Sequence, residues 1–247
     1  MELKKAGLTA AAIGLDDFDP IRHDNFRGYP GAFKEATQSL AYFRNAEIFT
    51  YTNICLQKEL VHSGHLWNYF KTIKDLKVGA TVLLEPKPCG GYLAENADFL
   101  FSEQDRKTVT EFFRTANQNK EYKDYPLVSY MAYFESAQRF GCLMGGLSHF
   151  NINSLGDVQP CVFLPVSFGN IVEEDFTTIY NRMRKAIPKP LRKQCPSVYL
   201  AKIIKAKKNQ GIALPVPYKK IEHEWNKMFE SSLESNKVVS NKFPFVL

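Results

Sequence analysis

The sequence lacks any long hydrophobic run, and this absence limits where the protein can reside. No stretch reaches the roughly 18 consecutive apolar residues that a membrane-spanning helix requires. Residues 1–15 superficially resemble the start of a signal peptide, but their apolar part is short and runs directly into Asp16 and Asp17. We therefore predict a cytoplasmic protein with no membrane partner.

Cysteine is scarce and odd in number, which argues against a disulfide framework. The 247 residues include five cysteines, at positions 55, 89, 142, 161 and 195. Such a count in a mid-sized chain with no convincing secretory signal points away from a disulfide-stabilised secreted domain and leaves metal ligation open. The sequence also lacks an internal repeat of roughly 20–50 residues, which excludes a solenoid.

The composition is that of an ordinary folded protein with a basic bias. Hydrophobic residues make up 45% and charged residues 23%, and 19 Phe and 12 Tyr can fill a large core. The net charge is +6, and much of the excess lies between residues 182 and 208. Because no aromatic-interleaved RNA-binding motif accompanies this charge, we interpret it as a solvated helix surface and do not expect nucleic acid as a partner.

The first third of the chain alternates between strand and helix patterns. Apolar or β-rich segments at 8–15, 47–54 and 80–84 are separated by residues 32–45 and 65–76, whose apolar side chains recur at helical spacing. This order predicts right-handed βαβ units and a parallel sheet, with functional residues at the carboxyl ends of the strands. A polar loop is predicted between the first strand and the first helix.

The remaining chain is predicted to form a second, smaller domain and a tail. The boundaries that we predict are 1–135, 136–210 and 211–247. A glycine-rich, β-like segment covers 141–163. Further helices are predicted over 103–118, 126–140, 173–186, 198–209 and 219–235.

One cysteine pair lies in a segment with the pattern of a β-hairpin. The spacing is Cys-x13-Gly-x4-Cys, from Cys142 through Gly156 to Cys161. Residues 151–153 and 158–159 flank a turn, so the hairpin would fold Cys161 back towards Cys142. Together with Cys195 from a later turn, these thiolates would supply three soft ligands to an iron–sulfur cluster.

This pattern resembles a known family. Cys-x13-Gly-x4-Cys, followed by Gly169-Asn170-Ile171 and an acidic helix start, is similar to the SPASM/twitch auxiliary-cluster domain of radical S-adenosylmethionine (SAM) enzymes. Only Cys195 follows the hairpin, as in the shorter twitch form with one 4Fe-4S cluster. The resemblance implies Cys142, Cys161 and Cys195 as ligands.

The fourth ligand of such a cluster stays open from the sequence. Substrate, an exogenous group or His149 in the hairpin are the alternatives, although a histidine there is more often a surface residue. Cys55 and Cys89 are interpreted as ordinary buried or loop cysteines.

The front of the chain resembles the same family independently. Leu15-Asp16-Asp17, then His23-Asp24-x-x-Arg27-Gly28, then Gly31-Ala32-Phe33 are similar to the fourth strand and following loop of a radical SAM barrel, and 82–86 to the end of its sixth strand. The implied fold is α/β: the C-terminal half of a partial (β/α)6 radical SAM barrel followed by a small α+β SPASM/twitch-like domain.

The resemblance also implies a partial SAM site at the strand ends. Asp16 would face the SAM ribose and Arg27 would pair with the SAM carboxylate as a planar two-pronged donor. Thr52, Asn53 and Glu85 would line the same pocket. The alternatives are that Asp16 caps the following loop, that Arg27 pairs with Asp24, and that Glu85 is exposed.

The sequence departs from the family in one important respect. It contains no Cys-x3-Cys-x2-Cys, the motif that holds the SAM-cleaving cluster, and it opens on a segment that resembles the fourth barrel strand rather than the first. We expect a fragment, a misassigned start or a partner chain that supplies the rest, and no SAM cleavage by this chain alone. Catalytic residues are therefore not assigned. The expected substrate in the full-length parent is a peptide or small molecule.

Two other functions fit the residues without the resemblance. In one, the three cysteines and a histidine hold zinc structurally. In the other, the chain is a basic partner-binding protein with inert cysteines.

Overall fold

The computed structural model describes residues 2–93 and 97–234, which divide into two compact units. The first unit contains the chain up to Pro86 and Ala97–Tyr133. The second contains 87–93 and the described chain from Phe134 onward. The sequence predicted a boundary after residue 135 but not the assignment of 87–93 to the second unit.

The first unit is built on a four-stranded parallel sheet in the order β1-β2-β3-β4. The strands are β1 (Ala10–Gly14), β2 (Phe49–Cys55), β3 (Ala80–Leu84) and β4 (Leu127–Tyr130). The helices are α1 (Glu2–Lys5), α2 (Pro20–Arg27), α3 (Ala32–Asn45), α4 (Lys58–His62), α5 (Leu66–Asp75), α6 (Glu103–Gln118) and, at the junction, α7 (Met131–Phe134). Single 3-10 turns cover Ala97–Phe99 and Lys120–Tyr122.

Side chains alternate between the two faces of this sheet. In β2, Thr50, Thr52 and Ile54 are buried, whereas Phe49 is exposed and Asn53 is half-buried. The buried face packs against a core rich in aromatic side chains from the helices. The largest fully buried members of that core are Tyr69, Tyr130, Phe70, Leu15, Leu40, Ile54, Leu56, Ile73 and Leu83.

Two predicted segments of this unit differ from the structure. The predicted polar loop contains α2, which begins at Pro20 because Asp19 accepts a hydrogen bond from the backbone N–H of Arg22. The helix predicted over 126–140 is wrong, because its first part is β4. The Asn117 side chain bonds both the backbone N–H and the carbonyl of Val128 and holds that segment extended beside β3.

Short strands and three helices make up the described part of the second unit. They are β5 (Asn151–Ile152), β6 (Val158–Gln159), β7 (Val166–Ser167), α8 (Phe176–Ala186), α9 (Pro196–Asn209), β8 (Val216–Pro217) and α10 (Glu222–Glu234), with 3-10 turns at Gly90–Leu93 and Tyr218–Lys220. β5 and β6 form the predicted antiparallel hairpin, and β7 pairs with β8 in parallel. The sequence predicted a separate region over 211–247; in the structure Val216, Ile221 and Trp225 are buried in the core of the second unit.

Among residues 2–93 and 97–234, we find no helix with the length and apolar character needed to cross a membrane.

Candidate metal centre and strand-end site

The hairpin that carries two of the cysteines is closed by the Gly169-Asn170-Ile171 turn. Asn170 Nδ2 donates to the carbonyl of Leu155 at 2.8 Å, and the N–H of Ile171 donates to the carbonyl of Gly156 at 2.9 Å. Gly156 has a φ of 90°, and a Cβ there would lie 2.6 Å from Asn170 Oδ1. Glycine is therefore required at this turn for both its backbone conformation and its close packing.

Backbone pairing fixes Cys142 and Cys161 in the second unit. Cys142 exchanges two backbone hydrogen bonds with Leu191, at 2.9 and 3.2 Å. The N–H of Phe163 lies 3.5 Å from Cys161 Sγ and donates to it. Both thiols are therefore held by regular backbone contacts rather than by flexible loops.

Cys195 stands at the start of a helix. It is the residue before Pro196, the first residue of α9, and its Sγ lies 3.1 Å from the Ser197 hydroxyl. Proline at the first helical position fixes the direction in which the chain enters the helix.

The structure brings the three predicted cysteines together. Burial raises the pKa of Cys161 to about 12, and the nearby Cys195 thiol adds to this rise. Burial also raises the pKa of Cys142 well above its ordinary value, with smaller contributions from Glu135, Cys195 and Cys161. Cys195 therefore lies near both Cys142 and Cys161, and a bound cation would favour the thiolate forms of all three.

Sequence reasoning missed a fourth cysteine at this site. Burial raises the pKa of Cys89, and the Cys195 thiol contributes to that rise. Cys89 also contributes to the raised pKa of Cys161. No motif could have revealed this, because Cys89 lies in a distant segment whose assignment to the second unit is a property of the fold.

Two other candidates lie in the same unit. Burial raises the pKa of the half-buried Glu135, which lies close enough to Cys142 and Cys161 to affect their pKa values. His149, one of the three alternatives for the fourth ligand, is half-buried; burial lowers its pKa, and its Nδ1 lies 3.0 Å from the Ser148 hydroxyl. Its described contacts do not place it with the thiols.

The donor set suits a cluster better than a single ion. Within residues 2–93 and 97–234, no three or more His, Cys, Asp or Glu side chains have the geometry to hold one metal ion. A four-iron cluster holds its thiolates farther apart than a single ion does, and its protein ligands are cysteine sulfurs. Cysteine thiolates are the protein ligands that such a cluster takes, so the donor types here are compatible with one.

At the end of β1, Arg27 and Asp16 form an ion pair. Arg27 Nη2 lies 2.6 Å from Asp16 Oδ2, and Asp16 Oδ1 accepts the backbone N–H of Cys55 at 2.8 Å. A Cβ added at Gly14 would collide with the Arg27 guanidinium, so the missing side chain makes room for this pair. Arg27 remains 42% exposed, whereas Asp16 is only 2% exposed.

The His23 ring contacts the backbone of Asp16. Its Nδ1 accepts the backbone N–H of Asp16 at 3.0 Å, which requires an unprotonated Nδ1. Burial lowers the pKa of His23, so the ring is neutral and the 3.9 Å approach to the carboxylate is not an ion pair. Burial raises the pKa of Asp16, and the Cys55 N–H and Arg27 oppose that rise.

The neighbouring aspartates have other roles. Asp24 accepts the backbone N–H groups of Gly31 and Phe33, which lower its pKa, so it is not the partner of Arg27. Asp17 binds Arg22 through two hydrogen bonds of 2.9 Å each.

The other predicted SAM residues divide between the two faces of the sheet. Asn53 pairs in register with Gly14, on the face that carries Asp16. Thr52 faces the helices, where it bonds Tyr69 and Thr81 at 2.9 Å each. The structure therefore pairs Asp16 with Arg27, puts Asn53 on the same face of the sheet as Gly14, and places Thr52 on the opposite face.

Glu85 also lies on the helix-covered side. Its carboxylate accepts hydrogen bonds from Arg106 Nη2 at 2.9 Å and from the Tyr130 hydroxyl at 2.7 Å. It is 6% exposed, which excludes the alternative of an exposed side chain. These contacts link the end of β3 to α6 and β4, and the ion pair between Glu85 and Arg106 therefore has a structural role.

Comparison with known proteins supports both the cluster-binding segment and the fold. Residues 142–197 match the family model of SPASM, an iron–sulfur cluster-binding domain. Two solved structures described as "Native anSMEcpe with bound AdoMet" and either Cp18Cys or Kp18Cys peptide share the fold. Their TM-scores are 0.52 and 0.51 and their identities 14% and 13%; the matches cover 92% and 91% of this chain and 70% and 69% of theirs. These identities establish the fold alone.

The predicted resemblance and fold class are thereby confirmed: this chain has an α/β fold and is similar to radical SAM enzymes, and its residues 142–197 match the SPASM iron–sulfur domain. A 4Fe-4S cluster and SAM, the two predicted cofactors, are those of this class.

The curated relatives are AdoMet-dependent heme synthases. That of Methanosarcina barkeri is 28% identical over 196 residues, and that of Nitratidesulfovibrio vulgaris is 27% identical over 206 residues. The matches cover 72% and 73% of this chain but 55% and 53% of the relatives. The chain therefore spans about half the length of the curated relatives it matches.

Proposed function

We propose that this chain holds the auxiliary 4Fe-4S cluster and part of the SAM site of a radical SAM enzyme that modifies a small molecule. The observation that carries this proposal is the convergence of Cys142, Cys161 and Cys195 within the segment that matches the SPASM family. The sequence contains no Cys-x3-Cys-x2-Cys, so SAM cleavage requires a cluster-binding segment outside these residues.

The three cysteines would hold the auxiliary cluster as thiolates. Each thiol gives up its proton on ligation, and the charge of the iron offsets the burial that otherwise keeps the thiol neutral. The backbone N–H groups of Met144 and Phe163 bond the Cys142 and Cys161 sulfurs and help to stabilise their negative charge. When bound, such a cluster supplies electron transfer or a substrate-binding site.

Asp16, Arg27 and Asn53 would contact SAM. The Asp16 carboxylate would accept hydrogen bonds from ribose hydroxyls, and the half-exposed Arg27 guanidinium would bind the SAM carboxylate. Arg27 also lowers the pKa of Asp16 and helps to keep it ionised as an acceptor. Thr52 and Glu85 would support this site through the core rather than touch SAM.

The names of the relatives favour a small-molecule substrate. Matched relatives are AdoMet-dependent heme synthases, at 28% and 27% identity, whereas the peptide-bound structures share only the fold. We therefore propose a tetrapyrrole-like substrate for the whole enzyme, with a peptide as the alternative.

Cluster assembly on the full chain tests the proposal. After anaerobic reconstitution, the wild-type protein should turn brown and contain equal amounts of iron and sulfide. The double variant C142A/C161A should lose the colour, whereas C55A, which alters a cysteine of the first unit, should keep it. Colour unaffected by the double substitution, or stoichiometric zinc without iron or sulfide, would refute the proposal.

A further inference from the structure

We propose that Cys89 is the fourth protein ligand of the auxiliary cluster, so that four thiolates of this chain complete its iron coordination. This inference rests on the proposed function, because it assigns the coordination of the cluster that Cys142, Cys161 and Cys195 would hold. Cys89 lies outside the segment that matches the SPASM family.

The segment that carries Cys89 is anchored in the same core as the hairpin. Leu93, four residues after Cys89, is 4% exposed and packs in the core of the second unit. A one-turn 3-10 helix, Gly90–Leu93, links the cysteine to this anchor. The anchor restricts the thiol to the neighbourhood of that core.

The other three cysteines are held in the same way. Each is followed within five residues by a buried member of that core: Met144 after Cys142, Leu164 after Cys161, and Leu200 after Cys195. Four short segments therefore pack into one core, and each carries a cysteine within five residues of the buried side chain that anchors it. Such an arrangement would let the four thiols reach one cluster.

The Cys89 thiol lies near two of the other thiols. It lies within electrostatic range of Cys195 and of Cys161, which come from different segments. The side chain of Lys87, two residues before it, also acts on Cys89 and on Glu135. A cation there would offset part of the negative charge of a thiolate-ligated cluster.

Glu135 is the competing ligand. Its carboxyl group lies near Cys142 and Cys161, but carboxylates are hard donors, and iron–sulfur clusters take thiolates in preference. With Cys89 as the fourth ligand, Glu135 is a neighbouring acid. The cluster then has no open position, so substrate cannot bind to its iron.

Electron paramagnetic resonance of the reduced, reconstituted full chain tests the assignment. The variants are C89S and C89A, with C55S as the matched control from the first unit and E135Q as the test of the competing ligand. Each sample is measured with and without 2-mercaptoethanol, which supplies an external thiolate to an open iron position. Circular dichroism confirms that each variant is folded.

We expect the wild type, C55S and E135Q to share one spectrum that 2-mercaptoethanol does not change. C89S and C89A should show a shifted spectrum that responds to the added thiol, or a loss of iron in a folded chain. If both Cys89 variants give the wild-type spectrum, or if E135Q alone becomes responsive to the thiol, the assignment is overturned. If the wild type itself binds no cluster, the proposed function fails, and the two failures are distinguishable.

Discussion

Arg27 Nη2 lies 2.6 Å from Asp16 Oδ2, so two residues predicted as separate contacts to SAM are partners of each other. This pair has a clear electrostatic consequence. Burial drives the pKa of Asp16 upward, and the Arg27 charge opposes that rise. The arginine therefore helps to hold a buried carboxylate in its ionised form.

Replacing Arg27 with alanine should raise the pKa of Asp16 further. The substitution removes the attraction that favours the charged carboxylate, while burial is reduced only in part. A titration of the Asp16 carboxyl carbon by nuclear magnetic resonance measures the change. The control is R44A, which removes an arginine whose Nη1 donates to the Leu76 carbonyl, far from Asp16 in the sequence. An unchanged pKa in R27A would show that the ion pair does not form in solution.

Thr52 and Asn53 provide a matched test of the two sheet faces. T52V removes the acceptor of the Tyr69 hydroxyl in the core, so it should lower the free energy of unfolding by about 1–2 kcal/mol. It should leave SAM affinity unchanged. N53A should weaken SAM binding with little effect on stability. Equilibrium dialysis and denaturant unfolding of both variants check these effects, and the reverse pattern would reassign the pocket to the other face.

Glu85 should prove structural. E85Q weakens the interaction with Arg106 and with the Tyr130 hydroxyl, and we expect a loss of about 1–3 kcal/mol in the free energy of unfolding. Because Arg106 is 43% exposed, solvent screening places the loss towards the lower end of that range. SAM affinity should not change. A variant that is stable but binds SAM poorly would restore the predicted pocket role.

Asp105 should make stability depend on pH in the acid range. Burial disfavours its charged form, but hydrogen bonds from His62 and Ser102 outweigh that effect and lower its pKa to about 2. The ordinary pKa is 3.8, so the stabilisation is complete above that pH and is lost as the pH falls towards 2. The melting temperatures of wild type and D105N should therefore differ most near pH 6 and converge near pH 2.

The exposed Asp124 supplies the control for that experiment. D124N should follow the wild type throughout. A difference between wild type and D105N that persists to pH 2 would exclude the ionised carboxylate as its source.

Local patterns in the sequence predicted the regular elements well. The helix over 103–118 is confirmed because Ser102 and Asp105 form a capping box at its start and apolar residues recur at helical spacing. The hairpin is confirmed because its turn depends on nearby residues such as Gly156. Such features are local, so a single sequence carries the information that determines them.

The remaining features depend on contacts between distant segments. The Tyr-rich segment after Pro126 has the sequence pattern of a helix. Leu127–Tyr130 nevertheless form a strand, because they pair with β3 at the edge of the sheet. Strand-end position alone could not separate Thr52 from Asn53, although the two-residue period of a strand already required them to face opposite sides. Cys89 lies in the same unit as the other three cysteines because the nearby Leu93 packs in the core of that unit. No spacing in the sequence reveals this contact.

The order of the cysteines along the chain has a consequence for biosynthesis. Cys195 is the last of the proposed ligands, and its segment is made roughly 5–20 s after that of Cys89 if about 5–20 residues are added each second. Iron delivered earlier would meet an incomplete set of sulfurs on a nascent polypeptide. Maturation of this protein should therefore follow the exit of α9 from the ribosome.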